Sequence, residues 1–434
     1  MSWRKGFLIA LLCYSGLHLV SSVLRYNPWT RPEVSGDFHR IYDEALDYKQ
    51  HWEQTGKLPV MTGFRVYHGL PAYLLMFPLI HLGFNTVDYF FYLIQFLLFP
   101  LAIWLILKAV SSDSAPSWTE TALAVVLVLN FKPFLEALAL HKMEGIEIFL
   151  ICLALVAFKN SRDFLTGALL LAAASLKYLP AILLIYFFLK RETKVLLGAL
   201  GAGLVFLLFC LVFFGPSSME VVFRHPLDLV FRRDLESSIH AANIEWQTVS
   251  GVVNRWFAPK PSGNLLQFLG IGFAYPLTNP RLAMRIALLL KIFISGIYLY
   301  VIRHWWTESQ RREKWPFYLL EISLTFLMLL VWIQAIRIGY AIFLLPAFIG
   351  IALLFTRQWN LFRLKEKVLF GLAYALGATI IPMGIVDKLF PHPVWGPVWS
   401  KLYYWWGLPF YGYMMLGACI LLCYKRQSLT PSHE

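Results

Sequence analysis

Few residues in this chain have the type and placement to do chemistry, and Asp37 comes first among them. It follows Gly36 at the head of DFHRIYDEALDYKQHWEQTG, a charged stretch just beyond an apolar N-terminal run. A carboxylate held at a bilayer surface, beside a helix start and an apolar mouth, can take a proton from a sugar hydroxyl. The plainer alternative for such a residue is a solvated charge or a helix N-cap. Asp43, Glu44 and Asp47 are read as the solvated face of the same helix.

The second group is cationic. Arg224, Arg232, Arg233 and Arg255 fall in a long loop, Arg337 lies inside WIQAIRIGY, and Lys177 lies inside AAASLKYLPAILL. Arginine holds phosphate through paired, charge-assisted hydrogen bonds. A cation at membrane depth is expensive and therefore serves a function or finds a partner, unless it snorkels to the interface. Glu144 and Glu147 in HKMEGIEIF are either acids facing a cavity or loop charges preceding a span. His141, His225 and His240 are too scattered for a metal site, and no Gly-rich phosphate loop, HExxH or CxxC occurs. All five cysteines sit in apolar runs and read as core residues. No metal and no cofactor is implied.

The elements that carry these residues must be membrane helices. Of 434 residues, 59% are hydrophobic and 15% charged, with a mean hydropathy of +0.61. That apolar content cannot be hidden inside a soluble fold, whereas a bilayer accepts about 20 apolar residues per helical span. The expected fold is an all-α polytopic membrane protein, a single transmembrane domain over residues 1–434 with about twelve spans. They are expected near 6–23, 68–83, 88–110, 119–135, 145–158, 164–189, 194–214, 282–302, 317–333, 338–356, 368–385 and 408–424. LKYLP interrupts the 164–189 run, so half-helices or a hairpin there would alter the count.

The formal charge of +13 does not argue for nucleic acid. Lys and Arg gather in cytoplasmic loops of membrane proteins, as Arg303, Arg311, Arg312 and Lys314 do in one loop here. This alternation puts both termini in the cytoplasm and two large loops outside, residues 24–66 and 215–281. In the first, Phe38, Ile41, Tyr42, Ala45 and Leu46 share one helical side, which predicts an amphipathic helix lying at the membrane surface.

The order of these segments resembles glycosyltransferase family 87. SGDFHRIYDEAL, then GKLP, then FRVYHGLPAYLLMFPL look like the family's acidic-aromatic helix and its lead into the second span. FKNSRDFLTGALLLAAASLKYLPAILLIYFFLKRETK resembles its small-residue span closed by Lys-x-x-Pro, with Lys177 and Pro180 in those places. IEWQTVSGVVNRWF is similar to a later segment, through Gln247, Ser250 and Arg255.

The resemblance implies a GT-C fold, similar to polyprenol-phosphate-mannose-dependent mannosyltransferases. It implies an inverting enzyme of the cytoplasmic membrane with its active site facing outward. The donor would be a polyprenyl-phosphate sugar, such as mannose or another hexose, and the acceptor a lipid or glycan. Asp37 would be the general base. Arg337, Arg255 and Lys177 would hold the donor phosphate, and Glu144, Tyr67, His68 and Gln247 would touch substrate. The alternative from another class is a transporter or flippase of lipid-linked sugars, which predicts inverted repeats and buried midplane charges.

Overall fold

In lipid, an apolar segment must close its own backbone hydrogen bonds, and the helix does so within one run of chain. A computed structural model describes residues 3–25, 36–59, 68–110, 116–139, 141, 143–223, 249–257, 280–304, 307–311, 314–332, 342–357, 359–377 and 408–429. All regular structure among the described residues is helical. The chain groups into two compact units. The first comprises Met1–Leu129, Phe134–Arg233 and Trp306–Trp315; the second comprises Asn130–Pro133, Asp234–Trp305 and Pro316–Glu434.

The first unit begins with α1 (Trp3–Arg25), followed by α2 (Gly36–Thr55) and the short α3 (Leu70–Met76). Then come α4 (Phe84–Val110), α5 (Trp118–Leu129), α6 (Lys132–Ala139) and α7 (Glu144–Lys159). It closes with α8 (Asp163–Leu176), α9 (Ala181–Leu189) and α10 (Thr193–Phe214). Among the described residues, four helices are long and apolar enough to cross a bilayer: α4, α10, Arg281–Ile302 and Trp315–Trp332. Along α4, the large residues Phe90, Leu93, Leu97, Leu101 and Trp104 are exposed at helical spacing. Along α10, Leu197, Leu200, Leu204, Leu208 and Val212 are exposed likewise. Apolar stripes of that extent need lipid rather than water around them. This is a membrane protein.

Three expected spans take a different form. Residues 68–83 hold only α3 and a 3₁₀ turn, Ile80–Leu82. The 119–135 run ends as α5 at Leu129, and α6 begins at Lys132. Residues 164–189, expected as one span, form the two helices of a hairpin. Lys177 ends α8 in extended backbone, and Pro180 caps the start of α9. Proline has no N–H to continue a helix and pushes the preceding residue out of helical backbone. The chain therefore turns back. Both feet of the hairpin reach Arg311, which bonds Asp163 at the start of α8 and Glu192 just beyond α9.

Arg311, expected as one of the basic residues of a cytoplasmic loop, is buried. Its guanidinium also donates to the Phe158 carbonyl at 3.3 Å and lies 4.0 Å over the Phe158 ring. Nearby, Trp315 Nε1 donates to the carbonyl of Ala109, and Lys159 Nζ donates to that of Lys108 at 3.1 Å. One end of the unit thus collects Lys108, Lys159, Arg162, Lys190, Arg191 and Arg311.

Between α8 and α10, two glycines let parallel helices touch. A Cβ at Gly167 would lie 1.8 Å from the Val195 carbonyl oxygen, and one at Gly198 would lie 2.1 Å from that of Phe164. Small residues at a helix crossing are the usual route to close packing in membranes, where dispersion contacts replace the hydrophobic drive.

In the second unit, Val249–Phe257 packs against Pro280–Ile302, and Leu364–Gly377 packs against Leu408–Leu429. Trp332 Nε1 donates to Ser295 Oγ at 3.0 Å, and Tyr298 and Thr325 share a hydrogen bond of 2.9 Å. Phe370 stacks on Phe355 at 3.9 Å.

Candidate functional site

The end of the first unit opposite Arg311 is where the candidate chemistry gathers. Its frame is α2, whose apolar residues Phe38, Ile41, Tyr42, Ala45 and Tyr48 are buried. They are covered by protein, not lipid. Phe38 packs against Phe91 at 5.1 Å, Tyr42 meets Phe84 at 5.4 Å, and Tyr48 stacks on Tyr73 at 5.1 Å. The Tyr42 hydroxyl also donates to the Ile80 carbonyl at 3.1 Å. The expected amphipathic helix is present, with its apolar side packed against protein. An apolar stripe at helical spacing says that something apolar covers it, and here α3 and α4 do.

Glu44 is corrected for the same reason. It belongs to the buried side of α2, with only 5% exposure, while Asp43 and Asp47 stay exposed. Arg40 Nε donates to one carboxylate oxygen at 3.0 Å, and the Tyr73 hydroxyl donates to the other at 2.7 Å. Burial, then the Glu44 charge and Tyr178, push the Tyr48 phenol above its ordinary range, so it stays protonated. Asp37 itself lies within the first turn of α2, since the helix begins at Gly36 and not after it. Counting seven residues from Asp37 reaches Glu44, so both occupy one helical register with Ile41 between them.

The second half of the site is the tip of the α8–α9 hairpin. Lys177 Nζ donates to Glu144 Oε1 at 2.6 Å, with both side chains buried. Glu147 lies one turn along α7, fully buried, close enough to feel both charges. Its carboxylate has no hydrogen-bond partner among the described residues. His68 is 9% exposed, with its ring 6.4 Å from Tyr73. The next residue, Gly69, donates its N–H to the Leu176 carbonyl at 2.8 Å. A Cβ at position 69 would lie 1.8 Å from the Ser175 carbonyl oxygen. The glycine of HGLPAY is what allows α3 to seat on the hairpin tip.

A third polar contact lies between α4 and α7. His141 Nδ1 and Asp88 Oδ1 are 2.6 Å apart, both buried, with the imidazole 4.7 Å from Tyr92. Among the described residues, no group of three or more His, Cys, Asp or Glu gathers as a metal site would require.

Of the residues proposed from sequence, Glu144 and Lys177 pair at the hairpin tip, and His68 precedes the α3 that is seated on that tip. Arg255 lies in Val249–Phe257 of the second unit. Tyr67, Gln247 and Arg337 fall outside the described residues. Tyr73, Asp88 and Gln95 escaped the sequence reading, Glu44 was read as solvated, and His141 was weighed only as a metal ligand. The available signal for Asp88 and Gln95 was their place inside the apolar run of α4, where a polar side chain needs a reason.

An all-helical membrane unit with acids, a lysine and aromatic hydroxyls gathered at one end defines the class. Residues 67–332, more than half of the chain, match Glycosyltransferase family 87, and the chain belongs to that family. It is therefore a glycosyltransferase. The match takes in His68, Glu144, Lys177 and Arg255, and it begins beyond Asp37. No curated protein matches the chain.

Proposed function

We propose that this protein moves a hexose, such as mannose, from a polyprenyl-phosphate donor to a lipid or glycan acceptor, with inversion at the anomeric carbon. Asp37 is the general base. It takes the proton from the acceptor hydroxyl as that oxygen attacks the anomeric carbon, and the bond to the phosphate oxygen breaks with its electron pair. The leaving polyprenyl phosphate is a good leaving group and needs cations for its developing charge. Arg337 and Arg255 serve it, with Lys177 contributing from within its pair with Glu144. His68, Tyr67 and Gln247 contact substrate.

The observation that carries this reading is the docking of α2. The Glu44–Tyr73 hydrogen bond ties the helix that carries Asp37 to α3, and α3 is seated in turn on the hairpin tip that carries Lys177. Orientation follows from the basic end. Lys108, Lys159, Arg162, Lys190 and Arg191 gather opposite this site, and positive charge favours the cytoplasmic side. The site then faces outward, where lipid-linked sugars are presented.

The test is transfer by purified protein in liposomes, using a panel of radiolabelled polyprenyl-phosphate hexoses and a membrane lipid extract as acceptor. Asp37→Asn is expected to lower transfer roughly 10²- to 10⁴-fold, the usual contribution of a general base, with the protein still folded and inserted. Transfer within about tenfold of wild type would overturn the assignment.

A further inference from the structure

A lysine inside a membrane span needs a reason, and Lys291 stands near the middle of Pro280–Ile302 in the second unit. Its side chain belongs to the covered stripe of that helix, with Ala283, Ala287 and Tyr298, and keeps 9% exposure. The ammonium lies 5.9 Å over the Trp332 ring. Among the described residues it has no ion-pair or hydrogen-bond partner, and Nζ is not sealed from the surface. A cation without an acid, within reach from outside the fold, is open to an anion.

Ser295, one turn further along, shares the face of Lys291. The Trp332 indole N–H donates to Ser295 Oγ at 3.0 Å, so the serine's own proton is directed elsewhere. Ammonium and hydroxyl are thus two donors on adjacent turns. That set suits a phosphate, whose oxygens only accept, and it repels a metal ion.

Depth and access say where the phosphate comes from. The Tyr298–Thr325 and Ser295–Trp332 bonds fix the register between Pro280–Ile302 and Trp315–Trp332. Arg303 and Lys314 flank the joined ends of these helices. From Trp315 to Trp332 the helical rise covers about 25 Å, most of a hydrocarbon layer of roughly 30 Å. Ser295 meets Trp332, and Lys291, one turn farther from the basic loop, lies near the opposite boundary of the membrane. Leu288, Leu290 and Ile292 around it are exposed to lipid, and Leu299 continues that strip toward the basic end. A lipid can reach Lys291 sideways, with its head on the ammonium and its chain along Ile292 and Leu299, and no enclosed cavity is required.

We propose that Lys291, with Ser295, holds the phosphate of the polyprenyl-phosphate lipid near the outward boundary of the membrane. The proposal rests on the glycosyl-transfer reading and adds a phosphate contact to it. Val249–Phe257, which carries Arg255, packs against the same helix, and this favours the donor over bulk anionic lipid.

The full-length protein is purified in detergent, and binding of radiolabelled polyprenyl phosphate is measured against polyprenol, phosphatidylglycerol and inorganic phosphate as competitors. Unlabelled polyprenyl phosphate is expected to compete at least roughly tenfold better than any of the three, because only it supplies both phosphate and isoprenoid chain. Lys291→Met should lose roughly tenfold or more in affinity for polyprenyl phosphate, with the loss of a charge-assisted hydrogen bond. Lys291→Arg keeps the charge and should stay within about threefold of wild type. Ser295→Ala should lose less than Lys291→Met, since its bond is neutral at the donor. Affinity for polyprenol should not change in any of them.

Without ligand, Lys291→Met should unfold at or above the wild-type temperature, since an unpaired cation is replaced by an apolar chain of similar length. A drop of several degrees would show that Lys291 is bonded within the fold, and overturns the proposal. Full affinity in Lys291→Met overturns it too. Equal competition by phosphatidylglycerol makes the site one for bulk anionic lipid, and equal competition by inorganic phosphate makes it one for a soluble ion; either overturns it. A wild type that does not favour polyprenyl phosphate over polyprenol overturns both this site and the donor of the transfer reading. Asp37-dependent transfer with an unchanged donor KM in Lys291→Met overturns the site alone. Lys291-dependent binding in a protein whose transfer does not need Asp37 supports the site and overturns the assignment of the base.

Discussion

Lys177 and Glu144 are buried together as an ion pair. Their 2.6 Å contact lies where neither charge has water to fall back on. Removing one partner of a buried ion pair leaves an uncompensated charge, at about 3–5 kcal/mol, whereas replacing both with apolar groups of like size is often neutral. Lys177→Met alone is therefore expected to lower the unfolding temperature, because it removes the cation bonded to Glu144 and close to Glu147. Glu144→Leu together with Lys177→Met should recover a large part of the loss. Thermal unfolding of the purified variants decides this, and an additive double variant would show that the pair is not what holds the hairpin tip. Glu44 stands differently. Its two oxygens accept from Arg40 and Tyr73, which ties α2 to α3.

At the scale of elements, α8 decides how the first unit packs, through one residue with no side chain. Gly167→Ala is expected to force α8 away from α10 and to reduce the folded yield strongly, since the added carbon would meet backbone that cannot give way. Gly201→Ala, on the same α10 but with open space around its Cβ, should leave the unfolding temperature unchanged or raise it slightly. Fluorescence-detected size exclusion of the two variants separates the outcomes, and equal yields would mean that the α8–α10 crossing is looser than described. Much of this was legible in the sequence. The apolar side of α2, the break at LKYLP and the small-residue run of α8 are all periodic or local signals. What joins them was not. The bonds Glu44–Tyr73, Lys177–Glu144 and His141–Asp88 link residues 29, 33 and 53 positions apart. Periodicity says which side of a helix is covered without saying by what, so Glu44 read as solvated and α2 as lipid-bound.

At the scale of the molecule, the hairpin changes which side of the membrane each loop occupies. Counted as one span, residues 164–189 would put Arg162 and Arg191 on opposite faces. As a hairpin, they share a face, together with the Arg311 that clasps Asp163 and Glu192. Cysteines at Ser161 and Arg191, both exposed, are expected to react with a membrane-impermeant maleimide from the same side of sealed vesicles, in a background without the exposed Cys13. Labelling from opposite sides would restore the single span. The hairpin also bears on how such a chain is inserted and altered. A segment that leaves and returns on one side adds nothing to the parity of crossings, so its length and its tip can be exchanged without inverting anything that follows. The element that presents Lys177 is thereby insulated from the topology of the remaining chain, and grafting another tip between Leu176 and Ala181 alters the site while the orientation of α10 is kept.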